Sequence, residues 1–193
     1  MSDQAENVRD FWLNTVGPDG WNNPTDEQIM DMRSRFMPLW EQAKDGALTS
    51  WICRPESCLA LVVLLDQFPR LMYRGSAMSY DSDAIALAVS KRAIVMGHDL
   101  KLREPERQFF YLPLMHSENM MDQERCVRLM CERMPEYGAS NLLHARAHRE
   151  VIRKFGRFPY RNEALHRATT EPEARFVSDG GYGQTVRELQ AAG

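Results

Sequence analysis

The sequence predicts an all-α protein assembled from antiparallel helical hairpins, and three observations carry that prediction. Ala, Leu, Met, Glu, Gln, Arg and Lys supply 94 of the 193 residues, whereas Val, Ile and Thr supply 21. Straight-chain side chains lose little rotamer freedom in a helix, and β-branched ones are favoured in strands. The apolar residues recur at helical spacing, and the breaks between the periodic stretches are short. A β-sandwich, a barrel or a parallel-sheet fold would need several Val/Ile-rich runs that are absent.

Residues 4–16 read as a first helix with Val8, Phe11, Trp12 and Val16 on one stripe, followed by a turn at Gly17-Pro18-Asp19-Gly20. Thr25 and Gln28 form a capping box that opens a second helix. That helix buries Ile29, Met32 and Phe36, then Leu39 and Trp40 beyond a kink at Pro38, and closes near Asp45-Gly46. Pro55 suits the first turn of the next helix, which is apolar on all sides from Leu59 to Leu65 and therefore belongs at the centre of the domain. Pro69 predicts its end near Phe68.

Asp81 or Ser82 caps a helix reaching about Gly97, with a stripe of Ile85, Ala88, Val89, Val95 and Met96. Residues 105–117 form another, interrupted at Pro113, and 119–134 are amphipathic through Met120, Val127, Met130 and Met134. A helix over 141–155 ends at Gly156. Weaker helices at 161–167 and 171–178 precede a Gly-rich tail expected to fray. From Asp81 to Pro159 the chain reads as two consecutive hairpins of about 38 residues, close to the repeat lengths of α-solenoids. A single domain over 1–193, its core at about 4–178, is expected.

Hydrophobic and charged contents of 44% and 26% are those of a globular chain. The net charge of −3 gives no general attraction to nucleic acid or to an anionic membrane. The polar, acidic start and the shortness of the longest apolar run, Leu59–Leu65, predict a soluble cytoplasmic protein. Cys53/Cys58 and Cys126/Cys131 are i,i+5 pairs, which face different ways on a helix, and read as buried free thiols rather than as disulfides or a zinc site.

Arginine outnumbers lysine by 20 to 4, so the placement of its planar, forked cation needs an explanation. Three stretches stand out. Leu65-Asp66-Gln67-Phe68-Pro69-Arg70 with Tyr73-Arg74-Gly75 puts an acid at the end of the most buried helix, where it must be paired to stay ionised. Phe155-Gly156-Arg157-Phe158-Pro159-Tyr160-Arg161-Asn162 partly echoes it, and Arg70, Arg74, Arg157 and Arg161 could converge on one carboxylate or phosphate. Against this stands a plain structural reading, in which the acid and arginines seal helix ends and Phe-Pro packs two corners.

Tyr111-Leu112-Pro113-Leu114-Met115-His116-Ser117-Glu118 carries a histidine near a kinked helix end, a candidate general acid or base that Asp66 and Glu118 would orient. His144 and His148 lie on one helix face but lack a third ligand, so no metal and no cofactor is expected. Neither a phosphate-cradling glycine loop nor a nucleophile elbow is present.

These same stretches, with Gln123-Glu124-Arg125, His148 and Ile152, resemble the bacterial family known as domain of unknown function 924, over about residues 8–178. The resemblance implies an all-α, tetratricopeptide-like (TPR-like) fold and implies no activity. In that family a histidine usually stands where this chain has Tyr160, a glycine often stands where it has His166, and His144 is outside the motif.

Two functions follow. The first is a helical protein binding a peptide, partner or anionic ligand in a groove lined by Asp66, Gln67, Arg70, Arg74, His116, His148, Arg157, Arg161 and Asn162. The second is an enzyme acting on an anionic small molecule with His116 as general acid or base. A homo-oligomer stays open, and neither membrane nor nucleic acid is indicated as partner.

Overall fold

The computed structural model describes residues 3–192, and every regular element among them is helical, as the composition predicts. The chain divides into two compact units, Met1–Pro113 and Leu114–Gly193.

In the first unit, α1 (Asp3–Asp10) continues through a π-helical segment, Phe11–Val16, into α2 (Gly17–Gly20). Ala5, Val8, Phe11, Trp12 and Val16 form the buried stripe. The Gly-Pro-Asp-Gly segment expected as an open turn is one helical turn. It is drawn back onto the first helix because the Trp21 indole N–H donates to the Trp12 carbonyl at 2.9 Å and the two rings stack at 6.4 Å. The capping box opens α3 (Asp26–Lys44): the Gln28 N–H donates to the Thr25 hydroxyl, and the Thr25 N–H to the Gln28 carboxamide. This helix runs through Pro38 and ends at Asp45.

α4 (Pro55–Val62) is the expected central helix, buried without a break from Ser57 onward. It does not stop at Phe68. A π-helical segment, Val63–Gln67, carries it into α5 (Phe68–Met72), with the Phe68 N–H bonded to the Val63 carbonyl five residues back. Pro69 cannot serve the Leu65 carbonyl four residues before it. That carbonyl instead accepts the Ser82 hydroxyl at 2.6 Å, and the same hydroxyl accepts the Trp40 indole N–H at 2.9 Å. A partner from elsewhere in the fold thus satisfies the group that proline orphans, and the helix survives.

α6 (Asp83–Val95) packs on α4, but its buried face is Ala86, Val89, Ser90, Ala93 and Ile94. Of the expected stripe only Val89 is buried; Val95 is 79% exposed. Three of these five, Ala86, Ser90 and Ala93, are small, which suits an interior packed at crystal density. α7 (Glu104–Arg107) follows, and α8 (Leu112–His116) contains the point where the units divide.

In the second unit, α9 (Met120–Arg133) and α10 (Ala139–Phe155) pack together, and α10 ends at Gly156, whose φ of 70° is the left-handed cap glycine accepts readily. Where a helix over 161–167 is expected, a 3-10 turn at Pro159–Arg161 leads into non-helical turns. His166 there has a φ of 52°, left-handed backbone that glycine adopts more readily than histidine. α11 (Glu171–Ser178) opens on a capping box of Thr170 and Glu173. The tail expected to fray is a further helix, α12 (Gly181–Ala192), packed on α10. Tertiary contact decides this: Tyr182 places its ring 4.6 Å from that of His148 and 5.9 Å from that of His144. No disulfide joins the cysteines; Cys58 and Cys126 are buried and Cys53 and Cys131 exposed.

Candidate functional site

The candidate residues fall in both units. In the first, the π-helical segment brings Asp66, Gln67 and Arg70 together. The Asp66 side chain is 1% exposed, and its carboxylate accepts the Gln67 carboxamide at 2.5 Å and Arg70 Nη2 at 3.2 Å. Arg70 Nη2 also reaches Asp83 at 2.7 Å, and the guanidinium lies 5.5 Å from the Tyr80 ring centre. Burial opposes the Arg70 charge, but the two carboxylates more than offset it and raise its pKa. One guanidinium held by two acids is therefore neutralised in place, whereas Arg74 is exposed. The acid is paired, as its position at the end of an apolar helix requires.

In the second unit, His148 is fixed by its own helix. Its Nδ1 lies 2.9 Å from the His144 carbonyl, and a carbonyl only accepts, so Nδ1 carries the proton and Nε2 keeps its lone pair. The ring sits 6.3 Å from that of His116 and edge-on to Phe158 at 5.4 Å. Burial, with the charges of His116, Arg161 and His144 adding to it, pushes His148 down to about 3 despite the bond to the His144 carbonyl. It is a neutral hydrogen-bond acceptor at physiological pH.

His144 is likewise pushed down by burial, and its Nδ1 shares a 2.6 Å hydrogen bond with the Tyr182 hydroxyl. Burial and the nearby Tyr160 raise the Tyr182 phenol, which stays protonated. Arg161 is 6% exposed, with its guanidinium 4.4 Å over the Phe158 ring. The neighbouring Asn162 is buried, and its Oδ1 has no hydrogen-bond partner. Tyr160 stacks on the same Phe158 at 5.4 Å and is 39% exposed, so one edge of the cluster meets solvent.

Glu118 and Arg157 have other duties. Both Glu118 oxygens are engaged, one by the Phe158 N–H at 2.8 Å and both by Arg167, at 2.7 and 3.1 Å. Burial alone would raise the Glu118 pKa, but these bonds and the charges of Arg167 and Arg161 lower it. Arg157 forms a two-pronged pair with Glu173 at 2.6 and 2.8 Å and donates to the Ala168 carbonyl. The Arg157 hydrogen bonds and the Thr170 N–H hold Glu173 far below the usual carboxylate range. These two pairs pin the loop that carries Phe158, Tyr160 and Arg161.

Sequence reasoning missed Tyr182, Arg167, Asp83 and Glu173. The last was legible, since Thr170-x-x-Glu173 is a capping pattern. Nothing local marks the other three, whose partners lie 13 to 49 residues away along the chain.

The fold and these clusters define an all-helical protein whose second unit gathers imidazoles, aromatic rings and a buried arginine. None of its described helices is long and apolar enough to cross a membrane. No group of three or more His, Cys, Asp or Glu suited to hold a metal occurs among the described residues. The chain belongs to the bacterial family of proteins of unknown function DUF924, whose profile matches residues 8–181. It is similar to a solved structure of a protein of unknown function from Agrobacterium tumefaciens. The two are 38% identical with a TM-score of 0.84, over 91% of this chain and 97% of that one. No functionally curated protein matches it.

Proposed function

We propose that this protein is a TPR-like helical binder whose second unit takes an anionic ligand at His116, His148 and Arg161. The observation that carries this reading is the buried Arg161 guanidinium over Phe158; the unpartnered Asn162 Oδ1 and the His148 Nε2 are acceptors, so the anion must also carry a hydroxyl or acid proton. A buried cation supports an anion far better than an exposed one does, because water screens it less. Arg70 and Arg157 support the reading less, since carboxylates already hold both. The binder is preferred to the enzyme because Glu118 is held by Arg167 and the Phe158 N–H and so fixes the loop that carries Arg161.

Thermal unfolding with inorganic phosphate and with malate as probes, both anions that keep an O–H at neutral pH, tests the proposal. A ligand at about a hundredfold over its Kd stabilises the fold by about 2.7 kcal/mol. His116→Ala and Arg161→Met should abolish the rise in Tm while each leaves the unliganded protein within about 2 kcal/mol of wild type. A wild-type protein that neither probe stabilises, or a rise that both variants retain, counts against it.

A further inference from the structure

A second feature of the second unit stands apart from the His116–His148–Arg161 cluster. α10, α11 and α12 enclose a half-open groove of about 990 Å³, at the upper end of the size of small-molecule pockets, ~300–1,000 Å³. Its floor is apolar: Val151, Phe155, Phe176 and Leu189 line it, and the Phe155 and Phe176 rings pack 4.9 Å apart. Its rim is charged but mostly self-compensated. Arg153 pairs with Glu150 at 3.3 Å, Arg175 pairs with Glu171 at 2.6 Å, Glu188 accepts the Gln184 carboxamide, and Asp179 accepts the Ser178 hydroxyl at 3.3 Å. Lys154 differs. Its ammonium stands 5.2 Å from the Phe155 ring centre and 5.7 Å from that of Phe176. Among the described residues, no carboxylate lies within ion-pair distance of it.

We propose that this groove binds a medium-chain carboxylate, its acyl chain lying along Phe155, Phe176 and Leu189 and its head group on Lys154. Charge and length select that occupant. A cation over two aromatic rings at an apolar slot complements an amphiphile with an anionic head, whereas a neutral lipid leaves the ammonium unserved. Along α12 the groove runs from Gln184 to Ala192, about 12 Å at the ~1.5 Å rise of a helix. That reach takes roughly nine or ten carbons at ~1.3 Å per methylene, from a carbon–carbon bond of ~1.5 Å. It is short for a docked partner helix, which needs three to four turns of contact.

Titration calorimetry with sodium decanoate on the full chain tests the site. Decanoate should bind saturably at one site per chain, and octanoate about fifteenfold more weakly, since each buried methylene is worth about fourfold. Lys154→Gln should weaken decanoate about fivefold and leave decanol unchanged. Thr185→Phe, which fills the groove, should abolish both, with circular dichroism reporting an intact helical fold. If that variant loses helix, Ala192→Phe fills the other end. No saturable decanoate binding, equal affinity for octanoate, or binding untouched by the groove-filling variant would overturn the proposal. So would selective binding of an amphipathic peptide or of anionic vesicles in place of the free carboxylate.

Discussion

Replacing Ser82 by alanine should cost this protein far more than the loss of one hydroxyl suggests. The Ser82 oxygen is the middle of a buried relay: it accepts from the Trp40 indole at 2.9 Å and donates to the Leu65 carbonyl at 2.6 Å. Ser82 and Trp40 are each fully buried, as is Leu65, so Ser82→Ala strands a donor and an acceptor where water does not reach. Each orphaned buried group costs about 1–3 kcal/mol, which puts the variant about 3 kcal/mol below wild type. Urea unfolding followed by tryptophan fluorescence measures it, with an unchanged m-value expected because the folded surface stays the same. The relay exists because Pro69 lacks the N–H that would serve Leu65. Pro69→Ala should therefore change little alone yet recover about 1 kcal/mol of the Ser82→Ala loss by offering a new donor. A Ser82→Ala cost below about 1 kcal/mol, or strict additivity with Pro69→Ala, would refute the account of how the helix crosses its proline.

Two further expectations concern pH. Glu118 has a folded pKa below its ordinary 4.5, so the stability it contributes is present above that value and is lost as pH falls through the lower folded one; Glu118→Gln should flatten the acid limb of a Tm-versus-pH curve. His148 is held at about 3, against an ordinary 6.5. The unfolded chain therefore takes up a proton below pH 6.5 that the folded one refuses, and stability falls from there towards pH 3. His148→Phe should remove that slope, and an NMR titration should find the His148 ring neutral at pH 5; a ring that titrates near 6.5 would contradict the geometry.

Much of the fold was legible because its signals are local. The Thr25–Gln28 box, Pro55 in a first turn, the all-apolar Leu59–Leu65 run and the Gly156 cap each state a helix boundary or burial through a few neighbouring residues. The misreadings arose where a distant partner overruled a local rule. Pro69 ends a helix only if the Leu65 carbonyl finds no other donor, and Ser82 supplies one. The α6 stripe differs because Val95 and Met96 are more apolar than Ala86 and Ser90, yet the face carrying Ala86, Ser90 and Ala93 is the one the fold buries. A Gly-rich tail frays only if nothing packs on it, and Tyr182 finds two imidazoles.

The candidate site divides along the same line. Asp66 at the end of a buried helix demanded a cation nearby, and Arg70 four residues on was the readable choice. That Asp83 shares the guanidinium, and that Glu118 serves Arg167 and the Phe158 amide, follows from loops meeting in space.

Composition and periodicity by themselves determined that this chain is helical, where most of its helices begin and end, and which residue types carry charge into the interior. Those are properties of side-chain entropy and of backbone groups within one turn, and they act over three or four residues. Only the tertiary structure decided that Asp83 shares Arg70, that Glu173 holds Arg157, and that Arg161 lies buried over Phe158. Burial and pairing energies depend on the distance through space to groups far away in the chain, and no local pattern encodes that distance.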